Sequence, residues 1–145
     1  MSQRKTSDGL RSNNIFARIL RGELPKFAIY EDDLTLAFLD IMPATDGHTL
    51  VIPKEPAVTI HDVSPEGAAA VIRTTQKVAA AVKKAFDAPG IMLVQLNGAE
   101  AGQSVPHLHF HILPRAHGLD MKMHGRAMAD TKVLAPIAEK IRAAL

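Results

Sequence analysis

The chain has 145 residues, is 47% hydrophobic and 22% charged, and carries a formal net charge of +2. That length fits one globular domain able to bury a full core unaided, and the absence of cysteine excludes both a disulfide framework and a thiolate metal site. The mild positive charge suits a small anionic ligand, while five Phe and one Tyr are too few for an extended base-stacking platform, and no clustered Lys/Arg footprint of a nucleic-acid binder is present.

In chain order, residues 1–12 read as a disordered polar tail ahead of a single domain over 13–145. Met1 to Arg11 has no apolar core of a secretory signal. No stretch approaches the roughly 18 consecutive apolar residues of a membrane span. The expectation is a cytoplasmic protein that binds neither membrane nor nucleic acid. Asn13 or Asn14 can cap a short helix bearing Ile15, Phe16, Ile19 and Leu20, stopped by Gly22 and Pro25. Residues 27–31 and 34–40 predict a hairpin across Glu31-Asp32-Asp33. A loop over 42–47 leads into a strand over 48–52, closed by Pro53 and Pro56. Ser64-Pro65-Glu66 starts a long helix that carries Ala68, Val71, Ile72, Thr75, Val78, Ala79, Val82 and Phe86 at helical steps and ends near Pro89-Gly90. Strands are predicted over 91–96 and 105–113, the second ended by Pro114. Residues 115–129 show no period. A last helix over 130–145 places Val133, Ile137, Ile141 and Leu145 on one face, with Pro136 as a point of distortion or a reason for a later start. The sum is an α+β domain: about five antiparallel strands, a short N-terminal helix, one long central helix and a C-terminal helix.

Seven histidines are present, and three fall at alternate positions in His107-Leu108-His109-Phe110-His111. On an extended backbone these three share one face, roughly 6.6 Å apart at about 3.3 Å per residue, and Leu108, Phe110 and Ile112 share the other. Three imidazoles in a row pack poorly, because each brings nitrogens that need partners. Beyond simple packing, two chemical readings remain. His-x-His on a strand can converge on a metal ion, although no carboxylate lies within the run. Alternatively, a neutral imidazole attacks phosphorus while a neighbour orients its other nitrogen.

The run resembles the signature of the histidine triad (HIT) family, and the resemblance extends over residues 14–115. The stretch from Asn14 to Pro25 is similar to the family's opening helix, residues 31–40 to its first hairpin, and Gly47-His48-Thr49-Leu50-Val51-Ile52-Pro53-Lys54 to its third strand. Residue by residue, the resemblance implies that His109 is the nucleophile that becomes nucleotidylated. His111 would orient it, His107 would stand beside the phosphate and leaving group, and Ser104 would hydrogen-bond one of them. It implies phosphate-side roles for Asn97, Gln103 and His48, and a ribose grip by Asp40 with Ile41. Ile15, Phe16, Ile19, Phe38 and Leu50 would line a purine pocket, and Val105 counts among the nucleotide-lining residues.

The implied activity is hydrolysis or transfer at the α-phosphate of a purine nucleotide conjugate, of phosphoramidate or dinucleoside polyphosphate type, in a homodimer without cofactor or metal. Residues 31–54, Asn97 and Ser104 look most like the Hint branch. Glu100-Ala101-Gly102-Gln103 and Leu113-Pro114-Arg115 look more like the fragile-histidine branch, and Pro106 matches neither closely. Some bacterial members bind zinc partly through cysteines, which this chain lacks. The competing expectation is a purine nucleotide-binding adaptor with little catalytic activity.

Overall fold

The computed structural model describes residues 13–116 and 127–145; the predicted tail over 1–12 and most of the aperiodic stretch over 115–129 lie outside the described residues. Helix α1 (Ile15–Leu20) is capped by Asn14, whose Oδ1 accepts from the Ala17 amide at 2.8 Å. The hairpin strands β1 (Ala28–Glu31) and β2 (Thr35–Leu39) follow, then β3 (Thr49–Pro53) and the long helix α2 (Pro65–Ala85). Ser64 caps α2 by accepting from the Gly67 amide at 3.0 Å, and Glu55 in turn accepts from both the amide and hydroxyl of Ser64. Strand β4 (Gly90–Gln95), a 3-10 turn (Ala99–Ala101), strand β5 (Phe110–Arg115) and helix α3 (Thr131–Ala143) complete the described elements. The five strands form one antiparallel sheet in the order β1-β2-β3-β5-β4. The α+β architecture expected from the sequence is therefore present.

Side-chain alternation divides the sheet into two faces. Ala37, Leu39, Val51 and Ile112 pack with Val71, Val78 and Val82 of α2 and with Leu134, Ala138 and Ile141 of α3. Leu36, Phe38, Leu50 and Ile52 pack instead with Phe16 and Ile19 of α1. The rung Phe38, Leu50, His111 crosses this second face, because Phe38 pairs with Leu50 and Leu50 with His111.

Three expectations need correction. The triad strand begins at Phe110, not 105. Pro106 sits in a bend over 105–107, and the Leu108 amide donates to Ala57 at 2.8 Å, which holds this stretch off the ladder. The strand also runs through Pro114. That proline lies past the segment paired with β3, where β5 has a ladder neighbour on one side alone and a missing amide costs little. On α3 the buried stripe is Leu134, Ala138 and Ile141, not Val133 and Leu145, and Pro136 is accommodated inside the helix.

Candidate active site

The site forms where strand ends meet. Asp40 directly follows β2 and His48 directly precedes β3, and the Asp40 amide donates to the His48 carbonyl at 3.0 Å. Asp40 is two residues on from Phe38, and His48 two before Leu50, so both belong to the face that carries His111. His111 opposes Leu50, which places His48 diagonally across from it on one side, while His109, two residues back along the same chain, lies on the other. The sheet register thus brings the order His48, His111, His109 into space.

The hydrogen bonds fix the tautomers. The Ala44 amide donates to His48 Nδ1 at 3.0 Å, so the proton of neutral His48 is on Nε2. That Nε2–H donates to His111 Nδ1 at 2.9 Å, which places the His111 proton on its own Nε2. The rings of His111 and His109 meet edge-on at 4.9 Å. The Nδ1–H of His109 donates to the backbone carbonyl of His107 at 2.7 Å, because a carbonyl can only accept. The unprotonated nitrogen of His109 is therefore Nε2. Phe16 braces the same ring edge-on at 4.9 Å.

A cavity of about 640 Å³ lies over this face. Phe38 and Leu50 form its floor, Ile15, Phe16 and Ile19 of α1 one wall, and His109 and His111 one end. Asp40, Ile41, Ser104 and Val105 also line it. The sequence reading missed the opposite wall, which is made by Met128, Ala129, Thr131 and Leu134 at the start of α3, and by Leu24 to Phe27 ahead of β1. The Ala129 amide donates to the Ile41 carbonyl at 2.8 Å and fastens this wall beside Asp40. The shifted periodicity of α3 was the signal available for Leu134; nothing in the sequence pattern marks the others.

Four candidates stand outside the cavity lining. His48 lies behind His111 and acts on it. Asn97 Oδ1 accepts from the Ile60 amide at 2.7 Å and from Gln95 Nε2 at 2.8 Å. Gln103 donates to the carbonyls of Val58 (2.7 Å) and Val105 (3.0 Å) and accepts from the Gly98 amide (2.8 Å). These two amides brace the loop that delivers Ser104 and Val105 to the rim. His107, expected beside the phosphate, has its ring turned inward: Nε2–H donates to the Pro53 carbonyl at 2.8 Å, and Nδ1 is buried without a hydrogen-bond partner among the described residues. Burial pushes the His107 pKa below its ordinary value, and the Pro53 carbonyl opposes that shift only in part. Its ring is a neutral anchor, and its backbone carbonyl is what serves His109.

Asp40, His48 and His111 each offer one ligand atom within 4.8 Å of the others. The amide of Ala44 forces a proton onto the His48 nitrogen that faces this group, and in this protonation state that nitrogen donates to His111 while the Asp40 carboxylate stands 3.6 Å from it.

A HIT domain model matches residues 21–118. The chain is 43% identical over 103 residues to the B. subtilis relative named Protein hit, covering 71% of each chain. It is 43% identical to the adenosine 5′-monophosphoramidase hnt1 of Schizosaccharomyces pombe, over 70% of this chain and 73% of that one. A crystal structure of a Hit-like protein involved in cell-cycle regulation from Bartonella henselae superimposes with a TM-score of 0.86 at 49% identity, covering 92% of this chain and 96% of that one. With the domain match spanning most of the chain and two of the three triad histidines, His109 and His111, lining one cavity, the chain belongs to the histidine triad (HIT) family.

Proposed function

We propose that the protein is a nucleotide hydrolase or transferase that cleaves at the α-phosphate of a purine nucleotide conjugate through a nucleotidyl-histidine intermediate. The observation that carries this is the 2.7 Å bond from His109 Nδ1–H to the His107 carbonyl, which holds the Nε2 lone pair ready at the histidine end of the cavity. In the first step Nε2 forms a bond to phosphorus, the bond from phosphorus to the leaving amine or phosphate breaks, and the departing group takes up a proton from solvent. The Ser104 hydroxyl, on the rim, donates a hydrogen bond to the departing group. Water then attacks phosphorus and releases a proton to solvent, the P–N bond to His109 breaks, and the ring returns to neutral. Positioning and charge stabilisation do most of the work in such transfers. Asp40 accepts from the ribose hydroxyls, and the purine lies over Phe38 and Leu50 beside Phe16 and Ile19. The activity named for the S. pombe relative and an apolar cavity with few polar groups support the same reading.

The test is turnover of adenosine 5′-phosphoramidate and a dinucleoside polyphosphate, with mass analysis of protein quenched in denaturant during turnover. A nucleotidyl adduct on the His109 peptide is expected. Inert conjugates combined with tight nucleotide binding would instead favour the adaptor reading.

We also propose a homodimer formed through β4. This strand is a sheet edge, and its Leu93 and the neighbouring Ile72 of α2 are about half exposed beside Ile91 and Phe110. At the other edge Arg142 donates to the Ala28 carbonyl at 2.6 Å. An apolar edge strand invites pairing with a second copy. Leu93→Lys is expected to convert a dimer to a monomer in analytical ultracentrifugation; a wild-type monomer at micromolar concentration would refute this.

A further inference from the structure

Asp40 faces two ways. Its Oδ1 accepts from the Met42 amide at 2.8 Å, which fixes the carboxylate plane. Its Oδ2 stands 3.6 Å from His48 Nε2, the nitrogen that carries the proton donated to His111 Nδ1. Asp40, His48 and His111 are all buried, so the interaction of this carboxylate with the imidazole is weakly screened. A carboxylate whose only task was to hold a sugar would not need to lie against the histidine behind the catalytic one.

We infer that Asp40 is a positioning residue for the histidine relay as well as a ribose grip: its carboxylate holds the His48 Nε2–H in place toward His111, and through His111 it orients His109. This rests on the hydrolase reading above and adds to it a link between the sugar end of the cavity and the chemistry. Asp40→Asn exposes the link. Asn can still accept from the Met42 amide through Oδ1, but an NH2 group then replaces Oδ2 and confronts the His48 Nε2–H, donor against donor. Moving the His48 proton to Nδ1 offers no escape, because Nδ1 faces the Ala44 amide. The bond from His48 to His111 must weaken.

The experiment compares wild type and D40N on adenosine 5′-phosphoramidate and on its 2′,3′-dideoxy analogue, which share a leaving group. In wild type, loss of the hydroxyls is expected to raise KM and to leave kcat within a few-fold. On the dideoxy analogue there is nothing for the residue to grip, yet D40N is expected to lose a further factor of about 10 to 100 in kcat, the scale of lost outer-shell partners. Equal kcat for wild type and D40N on the dideoxy analogue would overturn the inference and leave Asp40 a sugar grip alone. A second readout needs no turnover: the imidazole 15N resonances of His48 and His111 in the ligand-free protein are expected to shift in D40N, and unchanged resonances would also overturn it. If wild type is inert toward both conjugates, the hydrolase reading fails and the resonances still decide the relay. Asp40→Ser, which removes the carboxylate without adding an amide donor, carries the same comparisons if D40N does not fold.

Discussion

His109→Ala is expected to reduce turnover of any accepted nucleotide conjugate by at least about 10³-fold, with no nucleotidyl adduct formed. The size follows from the chemistry: the substitution removes the only atom proposed to bond phosphorus, and a buried neighbour cannot replace it. His111 has its Nδ1 occupied by the His48 proton, and the His107 ring is tied to Pro53 on the far side of its own backbone. The fold should persist. The hydrogen bond lost is made to the adjacent stretch of the same chain, and the ring contacts are to Phe16 and His111. Nucleotide affinity should change little, because the proposed base and ribose contacts lie on Phe16, Phe38, Leu50 and Asp40. The measurements are single-turnover kinetics and binding of AMP to the same preparation. Near-normal turnover in the variant would sink the proposed mechanism, whereas loss of both turnover and binding would point to a collapsed cavity.

The parts of this arrangement that were legible in the sequence are those governed by local period. Alternation of His107, His109 and His111 against Leu108, Phe110 and Ile112 announced one polar and one apolar face, and Ile112 is indeed buried against α2 while His111 belongs to the cavity face. The α1 cap at Asn14 and the α2 cap at Ser64 were equally local. What alternation could not show is that Pro106 and the bond from the Leu108 amide to Ala57 bend the chain before the ladder begins. That bend turns the His107 ring inward and its carbonyl toward His109. Nor could spacing show that Asn97 and Gln103 spend their amides on the loop itself, since a loop amide reads alike whether its partner is a ligand or a backbone group 45 positions away, as Val58 is from Gln103. The meeting of Asp40 with His48 depends on strand register, a tertiary property. The wall made by residues 128–134 depends on where α3 docks, and there Val133 and Leu145 offered a competing apolar stripe that the fold leaves exposed.

Gly47→Ala is expected to destabilise the protein by about 2–5 kcal/mol, a large share of the about 5–15 kcal/mol that holds a domain together. Two separable causes contribute. Gly47 has φ of +89°, in the left-handed region where a side chain is strained. A Cβ there would also stand 2.6 Å from Cε2 and 3.0 Å from Cζ of Phe86, the residue that ends α2 and lies under the Lys140 ammonium. The ring is partly buried against the core shared by α2 and α3, so moving it aside disturbs that packing. The chain cannot yield easily either, because the Gly47 carbonyl accepts from the Thr49 hydroxyl at 2.8 Å and the next residue is His48, pinned by Ala44 and His111. A double-mutant cycle separates the causes. Phe86→Ala removes the clash but leaves the backbone strain, so the Gly47→Ala penalty should shrink by about 1–3 kcal/mol in the Phe86→Ala background and not vanish. Urea unfolding midpoints at constant m-value measure this. Full additivity would show that the ring moves aside at no cost and that backbone conformation alone requires glycine here; complete rescue would show the reverse.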